Sequence, residues 1–236
     1  MEMLDSIDKD KILFLDIETA PQYAEYRFVP DQLKKMWDSK AKYLIKENDS
    51  PATVYKSAGI YAEFGKVISV TVGMFNKKSF RLKTFFGDDE RGLLIEFADL
   101  LRSNFNTSKH FLCAHNGKEF DFPFLARRIL INGIKLPRIL DNAGRKPWEV
   151  RHLDTMELWK FGDYKNYTSL NLLAEIFGIP SPKDDMDGGM MYKVYWEDKA
   201  WDRIIKYNQK DVLTVAQVFL KFKGEELIKE EDIVIA

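Results

Sequence analysis

The sequence predicts a mixed α/β or α+β fold built as a single domain. Short apolar or β-branched stretches that suit strands dominate the first part of the chain, and stretches with helical spacing alternate with further strands afterwards. Of the 236 residues, 45% are hydrophobic, which is enough to bury a sizeable core. We therefore expect one domain over residues 1–236, with a partly helical insertion at about residues 21–65.

Three strands are predicted at the start of the chain. Residues 12–15 are apolar and lead directly into two carboxylates, which suits a strand buried on both faces. Residues 66–75 are rich in β-branched side chains, and residues 79–86 alternate in polarity after a short polar turn. These strands predict a three-strand meander that the insertion interrupts.

The insertion is predicted to hold a helix over residues 31–46. Its lysines are interleaved with Trp37 and Tyr43. A solvated helical insertion is the favoured interpretation. The alternative is a flap beside a functional site that touches phosphates and stacks on bases.

The rest of the chain alternates between helices and strands. The predicted helices share an apolar stripe and cover residues 89–102, 121–132, 168–177, 190–195 and 199–223. Short strands are predicted at residues 110–115 and 151–154, and irregular or polar loops at residues 136–148 and 181–189. This order places strands and helices around one central sheet.

Charge and cysteine content exclude several classes of protein. Charged residues make up 31% of the chain but nearly balance, for a net charge of −1, which argues against a surface coated in positive charge for gripping duplex nucleic acid. The single cysteine excludes an intrachain disulfide and indicates a reducing compartment. Without a signal-like or membrane-spanning apolar run, we expect a cytoplasmic protein with no membrane partner.

The acid pair at the end of the first strand is the first candidate site. Side chains alternate along a strand, so Asp16 and Glu18 are predicted to point to the same side. Buried carboxylates require a positive partner, and oxygen ligands favour Mg²⁺ or Mn²⁺. The alternative is a pair of exposed acids. The same Asp-x-Glu spacing recurs at Asp88 and Glu90, in a polar turn that we expect to lie on the surface.

Two later segments carry further candidate residues. Asn116 to Asp121 joins a predicted strand to a helix, although Asp121 as a simple helix N-cap would also explain that residue. Tyr207 and Asp211 are four residues apart on the apolar face of the last long helix, where a hydrogen-bonded pair within the core is the alternative. His115 is interpreted as structural. Arg127-Arg128 and Arg145-Lys146 are candidate phosphate contacts, with a solvated surface as the default.

Together, the three segments resemble the exonuclease motifs of the DEDDy group of 3′–5′ exonucleases. Asp16-Ile17-Glu18-Thr19 is similar to the first motif, the stretch that ends in Phe120-Asp121 to the second, and Tyr207-x-x-x-Asp211 to the third. The stretches 64–69 and 172–180 are also typical of predicted exonucleases related to the proofreading domain of family B DNA polymerases. The resemblance spans roughly residues 11 to 222.

This resemblance implies an RNase H-like fold, with a mixed central sheet flanked by helices, and a metal-dependent 3′–5′ exonuclease. It implies that Asp16, Glu18, Asp121 and Asp211 hold two divalent ions, Mg²⁺ or Mn²⁺, and that Tyr207 orients the attacking water. Three residues are implied to contact the terminal nucleotide: Thr19, Asn116 and Phe120. For Phe120, stacking on a base and packing of the motif are both open.

The expected substrate is single-stranded nucleic acid with a free 3′ end, with DNA favoured over RNA, and the expected product is nucleoside monophosphates. A role in DNA repair fits this activity, and a polymerase or repair partner is not identified by the sequence. Two rival hypotheses are a nucleic-acid-binding domain of the same fold without turnover and a structure-selective endonuclease.

Overall fold

A six-stranded mixed sheet forms the centre of the protein. The computed structural model describes residues 2–163, 165–180 and 186–236. Its strands are β1 Ile12–Pro21, β2 Gly65–Asn76, β3 Ser79–Phe86, β4 Phe111–Ala114, β5 Leu153–Asp154 and β6 Ile233–Ile235. Their spatial order is β5-β4-β1-β2-β3-β6, in which β2 is antiparallel to β1 and β3 and the remaining pairs are parallel. The predicted meander of the first three strands is present.

Helices flank this sheet. The described residues form α1 Glu2–Asp5, α2 Asp31–Ala41, α3 Glu90–Asn104, α4 Asp121–Ile131, α5 Thr155–Lys160, α6 Leu170–Ile176 and α7 Trp201–Lys223. No helix within those described ranges is both long and apolar enough to cross a membrane. The mixed α/β fold with a central sheet and flanking helices agrees with the sequence prediction.

Several boundaries differ from the prediction. The helix in the insertion ends at Ala41, and the segment predicted as a helix at 190–195 forms a π-helical turn at Lys193–Glu197. Neither α5 nor β6 was predicted. Of the loop predicted at 181–189, residues 181–185 lie outside the described part of the chain.

Alternation along β1 divides the core into two layers. Leu13, Leu15 and Ile17 belong to the apolar cluster formed with α3 and α4. Ile12 and Phe14 belong to the cluster that contains the apolar face of α7. Because successive side chains of a strand point to opposite faces, Asp16 continues the second series and is directed towards α7.

The insertion has a small core of its own. Trp37 on α2 is fully buried, and its indole nitrogen donates a hydrogen bond to the carbonyl of Pro51 (2.8 Å). The lysines of α2 lie on the partly or fully exposed side of the helix, as expected for a solvated insertion. A later part of the insertion, the 3₁₀ segment Thr53–Ile60, lines the cavity described below. The assignment of residues 1–236 to one domain stays a prediction.

The second Asp-x-Glu segment lies on the surface only in part: Asp88 is exposed, as expected, but the expectation was wrong for Glu90. Glu90 is only 8% exposed and accepts two hydrogen bonds from the buried guanidinium of Arg128. It also accepts hydrogen bonds from the backbone N–H of Val67 and from the Asn132 amide. Arg128 in turn donates to the carbonyl of Ala62 at the end of the insertion (2.8 Å). Arg128 therefore has a structural role and is not available to bind phosphate.

Candidate nuclease active site

The acid pair of β1 meets the last long helix. Carboxylate oxygens of Asp16, Glu18 and Asp211 all lie within 4.8 Å of one another. The strand pairing shifts register between Glu18 and Thr19, where β1 carries an irregularity of the β-bulge type. Bulges of this kind redirect side chains beside functional sites. The short distances between their carboxylates show that Asp16 and Glu18 point to the same side, as the strand pattern predicted.

Asp121 joins this group from the first turn of α4. It is 3% exposed, and its Oδ1 accepts a hydrogen bond from the backbone N–H of Ile17 (3.1 Å), between the two acids of β1. The N-cap position of α4 is occupied by Phe120, so Asp121 is not the N-cap. The bond to β1 explains how a residue 104 positions away in sequence is held beside the acid pair.

Helix α7 contributes Tyr207 and Asp211 one turn apart. The Tyr207 hydroxyl forms a hydrogen bond with the Asp211 carboxylate. Burial raises the pKa of Tyr207, and the charges of Asp211, Glu18 and Asp16 raise it further. The Tyr207 side chain is therefore protonated at neutral pH. Its hydroxyl group can donate a hydrogen bond.

The carboxylates repel one another within a buried space. Burial raises the pKa of Asp16 well above its usual range, and the charges of Asp121, Glu18 and Asp211 add to that rise. Burial is also the main cause that raises the pKa of Glu18, followed by the charges of Asp211 and Asp121. Burial raises the pKa of Asp121 to about 7. Within the described ranges, Asp16 and Glu18 form no ion pair with a lysine, arginine or histidine.

A buried amide fixes the orientation of Asp16. Asn208 is fully buried, and its Nδ2 donates a hydrogen bond to Oδ2 of Asp16 (2.6 Å). Its Oδ1 accepts a hydrogen bond from the hydroxyl of Ser69 on β2 (2.7 Å). Both ends of the amide are therefore used. Sequence reasoning missed these two residues, although an asparagine in the apolar stripe that contains Ile204, Val212 and Val215 was a readable signal.

The loop before α4 is held by Asp154. This buried carboxylate at the end of β5 accepts hydrogen bonds from the backbone N–H groups of Asn116 and Lys118 (2.9 and 3.0 Å) and also caps α5. Asn116 has a left-handed backbone (φ +62°), which asparagine tolerates. Its Oδ1 is buried and has no hydrogen-bond partner among the described residues. A buried acceptor without a partner is costly, so this oxygen is a candidate ligand contact.

The four acids line a cavity with a volume of about 750 Å³, and the other predicted site residues line it too. Thr19, Asn116 and Phe120 all contribute to its wall. Phe120 also packs against Phe124, with ring centroids 5.4 Å apart, so it combines packing with exposure to the cavity. His115 lines the cavity too, but both ring nitrogens are hydrogen bonded, to the Thr155 hydroxyl and to the Thr168 carbonyl. Those bonds agree with a structural role.

The insertion and the segment before α7 meet beside this cavity. Lys56 lies 3.5 Å from the Glu197 carboxylate and 4.8 Å above the ring of Tyr192. The Tyr192 hydroxyl donates a hydrogen bond to the carbonyl of Ala24 (2.5 Å). These contacts join two segments, residues 53–60 and 188–197, and both segments line the cavity. We name these two segments together the clasp.

The donor set fits divalent metal ions. It consists of carboxylate oxygens alone, which is the chemistry that Mg²⁺ and Mn²⁺ prefer. Burial and then mutual repulsion raise the pKa of Asp16 and Glu18, and bound positive charge would stabilise their ionised forms. Asp16, Glu18 and Asp211 could hold one ion directly, and Asp121 adds a further carboxylate to the lining of the same cavity.

Solved structures show the same fold. The family B DNA polymerase from the hyperthermophilic archaeon Pyrobaculum calidifontis matches with a TM-score of 0.52 and 17% sequence identity. The match covers 89% of this chain and 24% of the polymerase chain, so the protein spans about a quarter of the length of that polymerase. Among curated proteins, none matches the chain.

A protein-family model also matches the sequence. It is described as a predicted 3′–5′ exonuclease related to the exonuclease domain of PolB, and it covers residues 60–231. That range contains Asn116, Phe120, Asp121, Tyr207 and Asp211, whereas the acid pair of β1 precedes it and is brought to these residues by the fold. The match extends over more than half of the chain, so the protein belongs to this family of predicted 3′–5′ exonucleases related to the exonuclease domain of PolB.

Proposed function

We propose that this protein is a metal-dependent 3′–5′ exonuclease that removes nucleoside 5′-monophosphates from the 3′ end of single-stranded DNA, with RNA as the alternative substrate. The observation that carries the proposal is the convergence of four carboxylates and one tyrosine from β1, α4 and α7 on one cavity. Asp16, Glu18, Asp121 and Asp211 are proposed to hold two divalent ions.

The concentration of negative charge supports bound divalent ions. Asp16, Glu18 and Asp211 bring carboxylate oxygens within 4.8 Å of one another, and Asp121 lines the same cavity. Burial and the charges of the neighbouring carboxylates raise the pKa of Asp16 and of Glu18, and bound divalent ions would stabilise the ionised carboxylates.

The proposed reaction is hydrolysis of the last phosphodiester of the strand. Water attacks the phosphorus, the bond from phosphorus to the 3′ oxygen of the preceding nucleotide breaks, and that oxygen leaves as a 3′-hydroxyl after it takes up a proton. Two bound divalent ions would lower the pKa of the attacking water and stabilise the charge that develops on the leaving oxygen. Asp16, Glu18, Asp121 and Asp211 would bind and orient these ions.

Tyr207 is proposed to position the attacking water. Its raised pKa makes it unsuitable as a base at neutral pH, because the phenolate is not formed. The hydroxyl is fixed by its bond to Asp211 and lines the cavity. A Tyr207→Phe variant would therefore keep the binding of substrate and lose part of kcat.

Thr19, Asn116 and Phe120 are proposed to bind the terminal nucleotide. The unpartnered Oδ1 of Asn116 could accept a hydrogen bond from the sugar or base, and the exposed part of the Phe120 ring could contact the base. Residues of the clasp line the same cavity, and the ion pair between Lys56 and Glu197 joins the two segments of the clasp. A strand end that enters such a cavity must be single, which supports the choice of substrate.

Digestion of end-labelled oligonucleotides tests the proposal. DNA and RNA oligonucleotides labelled at the 3′ or the 5′ end are incubated with Mg²⁺, Mn²⁺ or EDTA. We expect immediate release of a labelled mononucleotide from the 3′-labelled strand, a ladder from the 5′-labelled strand and no product in EDTA. Asp16→Asn and Asp211→Asn should each reduce the rate by about 10²- to 10³-fold, the size of single electrostatic contributions to catalysis.

Asp99→Asn is the matched control, because Asp99 is an exposed acid of α3 that pairs with Arg102 outside the cavity. It should keep full activity. Unchanged activity in Asp16→Asn would refute the proposal. Cleavage of circular single-stranded DNA would indicate an endonuclease, and tight binding of a 3′-ended strand in Mn²⁺ without product would indicate a binding domain without turnover.

A further inference from the structure

A second cavity adjoins the acid cavity. It has a volume of about 840 Å³ and lies between α4, residues 136–150 and the segment that begins with α5. Asn116 lines both cavities, so the two spaces meet at this residue. The activity proposed above uses only the acid cavity and leaves the second one unexplained.

The wall of the second cavity is mainly apolar. Its lining includes the side chains of Phe122, Pro123, Leu136, Leu140 and Met156. Trp148 and Tyr167 also line it, and they remain 75% and 65% exposed to solvent. Large aromatic side chains exposed at the mouth of an apolar cavity are typical of a binding surface.

The cations of this cavity are more available than its acids. Arg127, Arg145 and Lys160 have no carboxylate within ion-pair distance in the described part of the chain. Lys160 lies 4.2 Å above the ring of Tyr167. Among the four acids of the lining, Asp154 is saturated by backbone N–H groups and Glu157 is paired with Lys118 at 2.5 Å. The lining as a whole holds four cations and four acids and has no net charge, but Arg127, Arg145 and Lys160 are left without an ion pair within the described ranges.

Asn116 supplies an independent sign of a ligand at the junction. Its left-handed backbone is held in place by Asp154, and its Oδ1 is buried without a partner in the ranges that the structure describes. A ligand that runs from one cavity into the other would pass Asn116, and a turn of its side chain would let this oxygen accept a hydrogen bond from an N–H or O–H group. Nucleobases and sugars carry such donors.

We propose that the second cavity binds the nucleotides of the same single strand that lie upstream of the two joined by the scissile bond. Bases stack on Trp148 and Tyr167, and the phosphates between them contact Arg127 and Arg145. Stacking on protein aromatics requires bases that are not paired, so the cavity selects for a single strand. This inference rests on the proposed function, since it assumes that the 3′ end of the strand lies in the acid cavity.

Binding and turnover measurements with strands of different length test this proposal. Binding of 5′-fluorescein-labelled (dT)₁₀ is followed by fluorescence anisotropy in EDTA, which prevents turnover, and the KM for a thymidine dinucleotide and for (dT)₁₀ is measured in Mn²⁺. Trp148→Ala and Tyr167→Ala should each raise the Kd and KM for (dT)₁₀ about fivefold or more, since stacking of one base contributes about 1–3 kcal/mol. The KM for the dinucleotide should not change.

Two further variants make the test specific. Trp148→Phe keeps an aromatic face and should restore most of the affinity, and Tyr43→Ala removes an aromatic residue that is 87% exposed and lines neither cavity, so it should have no effect. Arg145→Gln should lower the slope of log Kd against log salt by about 0.7, the value for one phosphate contact to a single strand.

The outcomes separate this inference from the proposed function. If (dT)₁₀ binds in a Trp148-dependent way but is never digested, the second cavity is supported and the exonuclease is refuted. If (dT)₁₀ is digested but Trp148→Ala leaves both Kd and KM unchanged, the second cavity does not bind the strand. An equal rise of KM for the dinucleotide and for (dT)₁₀ would also overturn the inference, because it would indicate damage to the acid cavity itself.

Discussion

The molecule contains two buried glutamates that follow an aspartate at the same spacing, Glu18 and Glu90. Glu90 receives two hydrogen bonds from one guanidinium, that of Arg128, and two more from N–H groups. Glu18 lies among other carboxylates and forms no ion pair within the described ranges. Burial disfavours the charge of both residues, but within the described ranges only Glu90 is paired with a cation.

This difference separates a structural acid from a candidate metal ligand. A buried carboxylate is stable when its charge is matched, and the protein has built that match for Glu90. At Glu18 the neighbouring charges raise the pKa instead of lowering it, so the site is strained until protons or cations arrive. The contrast explains why an identical spacing in sequence has two different outcomes.

The largest expected effect comes from removal of the matching charge. Arg128→Met should destabilise the protein by about 3–5 kcal/mol, because it leaves Glu90 buried and unpaired. Glu18→Gln should leave the metal-free protein as stable as the wild type or more stable, since it removes repulsion. Urea unfolding in EDTA measures both variants. A destabilised Glu18→Gln protein would contradict the distinction between the two acids.

The pH dependence of stability should come next in size. Asp121 has a pKa of about 7 in the folded protein and 3.8 in the reference state, so the folded state binds more protons than the unfolded state between these values. Stability in EDTA should therefore fall as the pH rises from about 4 to about 7. Asp121→Asn should flatten that fall in urea titrations at several pH values. If the fall in stability with pH were unchanged in Asp121→Asn, the protons would be bound by another group and the prediction for Asp121 would be wrong.

Divalent metal should stabilise the wild-type protein by an intermediate amount. An ion that binds only the folded state at 100 times its Kd contributes about 2.7 kcal/mol. Asp16→Asn combined with Asp211→Asn should abolish the rise in Tm with Mn²⁺, whereas Asp99→Asn should retain it. An equal rise in all three proteins would place the bound ion outside the acid cavity.

The smallest expected effect concerns the buried amide. Asn208→Leu removes the bond that orients Asp16 and should weaken Mn²⁺ binding about 10- to 100-fold, as for other groups that orient a metal ligand. Ser69→Ala should weaken binding less, because it removes only the contact behind the amide. Titration of free Mn²⁺ by electron paramagnetic resonance measures both. Gln217→Leu, a buried amide of α7 that bonds to Ile228, is the matched control.

Local periodicity was sufficient for much of this site. The two-residue period of β1 predicted that Asp16 and Glu18 share a side, and the four-residue spacing on α7 predicted that Tyr207 and Asp211 share a face. The fold brings these four residues and Asp121 to one cavity, as the resemblance to the three exonuclease motifs implied. The catalytic roles of these residues stay predictions.

Contacts between distant segments were not readable in the same way. The bond from Ser69 to Asn208 joins residues 139 positions apart, and no local pattern pairs Glu90 with Arg128. Strand β6 has three residues and exists through its parallel pairing with β3. Helix α2 ends five residues before the predicted end, since propensity alone does not fix a helix terminus.

The hydrogen bonds between Asp154 and the loop before α4 reduce the entropy that the loop would lose when a ligand binds. Four backbone N–H groups converge on this carboxylate, two of them from the loop, so the left-handed conformation of Asn116 is set before any ligand arrives. Ordering a loop costs about 1–2 kcal/mol for each backbone residue. Because this loop is already ordered, that cost is not subtracted from the free energy of ligand binding. Asp154 would thus raise affinity at the junction of the two cavities by ordering the loop in advance.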